Sequence, residues 1–342
     1  MKFVTIREAE ILAKKKINKK MFDWLQSGAE DNYTYEKNFI DLKEIQIKPY
    51  HLKKIKKIKL GTDFFGCKIS SPILVAPMGH QTQFDENGEI ETASGAQKEN
   101  TVSFFSTQGR ISLSEIRKKN KLANLGWTIF PFGNKKWILS QIKNAELNKC
   151  LAIVICIDAN IRSWRYQDRE SRYDARKNGR RTNPMPPNPQ YALNYNWDLI
   201  SYMKRNSNIP IIVKGILTKD DAINCIKKKV DGIWISNHGG RMFNSGISGV
   251  DAIVDIKKNI KNFNKVKIII DGGVRKGSDI IKYLCLGADY VAIGRPIIHG
   301  LILDKNRGVK KILEILNDEL KTSMINGGFG DKEDFNIKRL IF

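Results

Sequence analysis

The distribution of apolar and polar positions changes character twice along this chain. Over residues 6–27, Ile6, Ala9, Leu12, Ala13, Ile17, Met21, Phe22 and Leu25 recur at three- and four-residue steps, and Gly28 breaks the pattern. This spacing predicts a helix with one buried stripe. A basic stretch from His51 to Lys59 leads into GTDFFGCKIS, which reads as a turn or hairpin. From there short apolar runs bounded by Gly, Pro, Asp or Asn take over, at Pro72–Met78, Thr101–Thr107, Trp127–Phe132, Ala152–Asp158, Ile209–Gly215, Gly232–Ser236, Lys267–Asp271 and Tyr290–Gly294. Most are separated by one helix-length segment, such as Ser112–Lys121, Lys135–Asn148, Lys219–Lys229 or Gly277–Gly287. Apolar strands alternating with helices mean βαβ units and a buried parallel sheet. Eight units in about 225 residues, with no GxGxxG after the first strand, predict a closed (β/α)8 barrel rather than an open doubly wound sheet. The chain thus reads as α/β: an N-terminal helical and hairpin segment (1–70) on a TIM barrel (71–342).

One connection is too long for this scheme. Residues 159–208 form an Arg-, Asn- and Pro-rich insertion after strand four, including the run NPMPPNP at 183–189. It leaves from a strand's C-terminal end, the face where barrels keep their active sites, and is expected to be a lid. Arg162, Arg165, Arg169, Arg172, Arg176 and Arg180 recur at three- and four-residue steps, which would align them on one helix face; like charges so spaced also repel, and a solvated loop is the alternative.

Composition adds a question. The 342 residues carry a net charge of +23. So basic a chain invites a nucleic-acid or anionic-membrane reading, against a simple surplus of lysine on solvated faces. No recognition motif or aromatic–basic interleaving supports nucleic acid, and the insertion lacks an apolar anchor to match its charge, so any peripheral membrane contact would be weak. Five cysteines without a CxxC pair and four histidines (51, 80, 238, 299) without metal-ligand spacing point to a reduced cytoplasmic enzyme with no metal. No secretory signal or 20-residue apolar run is visible.

The chemistry gathers at strand ends. SNHGGR (236–241) follows strand six and puts a potential base, His238, three residues from Arg241, whose guanidinium can hold a carboxylate through two parallel bonds. Asp158 ends strand four, where it can orient an imidazole or simply cap a loop. Lys214 ends strand five, a costly place for an ammonium without an anionic partner. DGGVRKG (271–277) and GRP (294–296) follow strands seven and eight, the usual site of a phosphate in barrels.

Together with SGAED (27–31), PILVAPM (72–78), GEIETA (88–93) and LGADYVAIGRP (286–296), these segments resemble the FMN-dependent L-2-hydroxy acid oxidase and dehydrogenase family over nearly the whole chain. The resemblance implies FMN as cofactor and oxidation of a 2-hydroxy acid to the 2-oxo acid, with electrons leaving as hydride or through a carbanion. It implies His238 as base, Asp158 as its ion partner, Lys214 at the flavin N1/O2 edge, and Arg241 and Arg165 on the substrate carboxylate. Flavin contacts would come from Ala76, Pro77, Met78, Gly79, Ser106, Thr128, Cys156 and Ser236. Gly272, Gly273, Arg275, Gly294 and Arg295 would form the phosphate cradle, with Asp271 also among the cofactor-binding residues. It also implies a homo-oligomer, with oxygen, a quinone or another acceptor reoxidising the flavin.

The departures lie in the substrate wall. Trp24 and Phe130 stand where the family usually has tyrosines, and Gln108 replaces an aromatic. Indole only donates a hydrogen bond and phenylalanine offers none, so a larger or non-standard substrate, such as a modified peptide or biosynthetic intermediate, is the alternative to a simple hydroxy acid.

Overall fold

The structure is a computed structural model describing residues 3–55, 57–175, 179–187, 196–260, 262–263 and 265–342. Eight parallel strands close into a barrel in chain order: β1 (Ile73–Val75), β2 (Val102–Ser106), β3 (Asn124–Ile129), β4 (Ala152–Cys156), β5 (Ile211–Ile216), β6 (Gly232–Ile235), β7 (Lys267–Ile270) and β8 (Tyr290–Ile293), with β8 pairing back onto β1. Both faces of these strands are covered, which is why they read as continuous apolar runs. Alternate residues along each strand point inward. Leu74, Val102, Phe104, Ala152, Val154, Ile212, Trp234, Ile269, Tyr290 and Ala292 fill the interior as one cluster, and the residues between them pack outward on the helices.

The hairpin in GTDFFGCKIS forms as anticipated, from Thr62–Phe64 and Cys67–Ile69. It plugs the barrel's N-terminal end: Phe64 meets Phe104 and Tyr290 edge to face, and Tyr290 Oη donates to the Asp63 carbonyl. Gln46–Ile47 pairs with Leu340–Ile341 and ties the N-terminal segment to the C-terminus.

Three expectations change. The stripe over 6–27 is split into helices Ile6–Lys16 and Lys19–Gln26, because Ile17 is extended and the Asn18 side chain accepts from Lys20 N to start the second helix. The insertion is shorter than 159–208, since Trp197–Asn206 is a helix of the outer ring, capped by Asn196 and packed by buried Ile200 and Met203. Nor do the arginines share a helix. The helix there spans only Tyr166–Ser171 and stops at Arg172, which is left-handed at φ +54°. Arg165 is its partly buried N-cap and Arg180 pairs with Glu115. Arg176 and the end of the proline run (188–189) lie outside the described residues. Among the described residues no helix is long and apolar enough to cross a membrane.

Candidate active site

The inward-facing register of the strands places the site. Continuing each interior row by two residues gives Ala76, Ser106, Thr128, Cys156, Lys214, Ser236, Asp271 and Gly294, one from each strand or its C-terminal extension. The barrel's apolar filling therefore ends in a top layer that is small or polar, and this layer faces the loops of the C-terminal end.

His238 reaches that layer through an unusual backbone. His238, Gly239 and Gly240 are all left-handed, at φ +57°, +63° and +73°. A Cβ on Gly240 would lie 2.4 Å from Tyr35 N, so glycine is required there. The non-glycine residue in this conformation is the histidine itself, a local strain held by its surroundings. Asn237 and Asn38 exchange side-chain hydrogen bonds at 2.9 and 3.1 Å, Asn237 Oδ1 accepts from Gly240 N, and His238 N donates to Ser236 Oγ. Asn38 is mid-helix in Tyr33–Glu44, and nothing local in the sequence marks it as a brace for this loop.

Four side chains meet beneath the loop. His238 Nδ1 lies 2.9 Å from Asp158 Oδ1, Lys214 Nζ 3.1 Å from Asp158 Oδ2, and Cys156 Sγ 2.8 Å from Asp158 Oδ1. Burial opposes the Asp158 charge, but Lys214 and His238 hold its carboxyl well below the usual carboxylate range. Burial opposes the Lys214 ammonium too, and the Asp158 carboxylate more than offsets it, so lysine stays charged above its ordinary range. Burial lowers His238, helped by Lys214 and resisted by Asp158, so the imidazole is neutral around neutral pH. Cys156, Asp158 and His238 have ligand-type atoms within 4.8 Å of one another, but the Lys214 ammonium already supplies the positive charge at this carboxylate.

A second cluster is arginine-rich. Arg241 Nη1 donates to the Trp24, Leu25 and Ser27 carbonyls at the end of helix Lys19–Gln26. Arg295 donates to the Leu25, Ser27 and Gly239 carbonyls. These are the orphan acceptors and negative dipole end of that helix. Arg165 is buried against Asp168 at 2.8 Å, and Asp168 also accepts from Ser27 Oγ. Burial pushes Arg241 well below its ordinary range, and repulsion from Arg165 and Arg295 adds to it. Three guanidiniums thus share little counter-charge, and Arg241 has no partner at Nε or Nη2 among the described residues: the cluster is built to receive an anion.

Aromatic rings lie beside both clusters. Trp24 lies under Arg241 (5.1 Å) and meets His80 and Phe84 at 6.0 and 6.2 Å between ring centroids. Phe130 meets His238 at 6.1 Å and Phe132 at 5.9 Å. His80 and Phe84 were not anticipated. The only hint was their place just past PILVAPM; the left-handed backbone of His80 (φ +58°) is not legible from composition.

Of the remaining anticipated positions, Asp271 accepts hydrogen bonds from Ser236 Oγ and Trp234 Nε1, both at 2.8 Å, and orients the layer from behind. Arg295, expected in a phosphate cradle, is committed to carbonyls and stacks on Tyr35 at 4.5 Å. Arg275 contacts Glu10 and Phe39 yet keeps Nη2 buried without a partner among the described residues.

The model of the FMN-dependent dehydrogenase family matches residues 13–341. The chain belongs to that family. It is 31% identical over 346 residues to 2-hydroxyacid oxidase 2 of Bos taurus, covering 98% of each chain. It is 30% identical to the L-lactate oxidase of Lysinibacillus sphaericus, covering 90% of this chain and 84% of the relative. A mandelate oxidase crystal structure superposes with a TM-score of 0.91 at 25% identity, covering 99% and 98% of the two chains. The protein is an oxidoreductase of the 2-hydroxy acid oxidase and dehydrogenase type, acting on CH–OH, and its cofactor is FMN.

The residues of the top layer fit that cofactor. Thr128 Oγ1, Gln108 Nε2 and Arg275 Nη2 are buried donors without partners among the described residues. Gly272 and Gly273 are left-handed (φ +108° and +75°), and a Cβ on Gly294 would meet only Met78 Sδ. Backbone N–H groups free of side chains beside an unpaired guanidinium edge suit a phosphate.

Proposed function

We propose that this enzyme oxidises an L-2-hydroxy acid to the 2-oxo acid, with His238 as the base and Arg241, assisted by Arg165, holding the substrate carboxylate. The observation that carries this reading is geometric: an imidazole held on a carboxylate at 2.9 Å, on the same loop as a guanidinium whose bonds to protein all leave from Nη1. Nδ1 lies on Asp158, so the proton is assigned there and Nε2 is left to accept one from substrate. Asp158 then stabilises the imidazolium that forms, and Lys214 keeps Asp158 ionised. The open edge of Arg241 fixes the carboxylate and with it the position of Cα. Bound FMN would supply the two-electron acceptor, and Thr128, Gln108 and Arg275, whose buried donors lack partners among the described residues, would hold it.

The wall favours a bulky, apolar substituent over the smallest acids. Trp24, Phe84, Phe130 and Phe132 present rings and no phenolic hydroxyl, and missing hydroxyl partners cost a small hydroxy acid about 1–3 kcal/mol each. Aromatic acids of the kind named for the mandelate oxidase neighbour fit this reading. Exposed Ile161, Trp164 and Tyr166 beside Arg162 and Arg169 support a weak peripheral contact with an anionic surface. The test of function is anaerobic mixing of the yellow holoenzyme with a panel of L-2-hydroxy acids. Bleaching is expected, fastest with aromatic or branched side chains, and the W24Y/F130Y variant should shift the preference toward glycolate and lactate. No bleaching by any acid would defeat the proposal.

A further inference from the structure

We propose that Cys156 is a positioning residue that sets the proton affinity of His238 by sharing its carboxylate oxygen. The resemblance to the family made Cys156 a flavin contact, but its thiol is turned onto Asp158. Sγ lies 2.8 Å from Oδ1, the same oxygen that meets His238 Nδ1 at 2.9 Å, and is 3.8 Å from Nδ1 itself. Cys156 is 1% exposed and ends the inward row Ala152–Val154, so the strand register fixes this orientation. Burial and the Asp158 charge push the thiol far above its ordinary range, so it stays protonated and acts as a donor.

The consequence follows from counting donors. Asp158 receives Lys214 on Oδ2, and both the thiol and the imidazole on Oδ1. Each donor to a carboxylate oxygen withdraws part of the charge available to the others. The thiol therefore weakens the stabilisation of imidazolium and keeps His238 deprotonated to lower pH, where it can accept a proton. The groups facing His238 are Asp158 and Cys156 from β4, Lys214 from β5, Asp271 beyond β7 and the Phe130 ring beyond β3. Only Cys156 is a neutral donor, so it can be exchanged without altering the charge of the site.

The inference rests on His238 being the base, and its test is separable from that reading. Alanine and serine are close in volume, so C156A and C156S differ chiefly in whether a donor remains. Histidine titration by NMR in the FMN-loaded enzyme, with His238 assigned by H238Q, needs no substrate. C156A is expected to raise the His238 midpoint by about 0.5–1 pH unit, with C156S close to the native enzyme. The acid limb of kcat/KM should move upward by the same amount in C156A and return in C156S. An unmoved midpoint in C156A, or equal shifts in C156A and C156S, would overturn the proposal and leave Cys156 a packing residue. If no hydroxy acid reduces the flavin, the proposed reaction fails while the NMR midpoint still decides the coupling.

Discussion

Replacing Asp158 with asparagine keeps the shape of the side chain and removes the charge on which three neighbours depend. The carboxylate lies 2.9 Å from His238 Nδ1 and 3.1 Å from Lys214 Nζ. Two unit charges about 4 Å apart between charge centres interact by about 4 kcal/mol at an effective dielectric of about 20. If His238 carries most of a positive charge when the proton moves, losing that term slows flavin reduction roughly 10³-fold, at about 1.4 kcal/mol per decade. The same change strands Lys214, which is 3% exposed, and breaking a buried pair from one side costs about 3–5 kcal/mol of stability. D158N should therefore melt lower yet still bind FMN, because none of the unpaired donors assigned to the flavin belongs to Asp158. Single-turnover flavin reduction in a stopped-flow instrument, on protein shown to retain FMN, measures the chemical effect apart from the stability effect. Reduction within about threefold of the native rate would refute the assigned role of the Asp158–His238 pair.

H238Q should retain FMN and lose about 10²–10⁴-fold in flavin reduction, read by the same single-turnover assay. R241M removes a charge-assisted hydrogen-bonding edge worth about 1.5–3 kcal/mol, so substrate affinity should fall roughly 10–100-fold, measured by titration with a non-reactive carboxylate analogue. R275M should weaken FMN by a similar factor, read from flavin fluorescence on dilution, with less effect on the reduction rate of the loaded fraction. The stability gap between native enzyme and D158N should depend on pH in a defined way. Asp158 has its folded pKa depressed, so its contribution is present above the ordinary carboxylate value of about 4 and is lost as pH falls toward the folded value. Lys214 has its pKa raised, so its contribution is present below 10.5 and is lost as pH rises through the folded value. Denaturant melts should show a constant gap through neutral pH that narrows below about pH 4.

The eight strands and the identity of the polar layer above them were legible because a parallel barrel strand is apolar on both faces and its inward row has a period of two. Once Lys214, Cys156 and Ser236 are read as continuations of Ile212, Val154 and Trp234, they can only point into the mouth. Misread features depended on single caps or on distant chain. One side chain, Asn18, divides the N-terminal helix, and an arginine periodicity cannot sustain a helix past Arg172 without an apolar face to bury. The aim of Arg295 at the Leu25 and Ser27 carbonyls depends on a helix end 270 residues away, as the long-range bond to Leu25 shows. The net charge of +23, which invited a nucleic-acid partner, does not arise from the ion pairs of this site, where Lys214 answers Asp158 and Arg165 answers Asp168; Arg241 alone of these cations keeps an edge open.

The central claim is that this site removes hydrogen from an L-2-hydroxy acid with His238 as base, and a stoichiometric single turnover tests it most directly. Anaerobic incubation of FMN-loaded enzyme with the acid that bleaches it fastest should yield one 2-oxo acid per flavin reduced, with H238Q, equally loaded, yielding almost none on the same timescale. Flavin reduced without 2-oxo acid, or an H238Q variant that matches the native rate, would contradict the account.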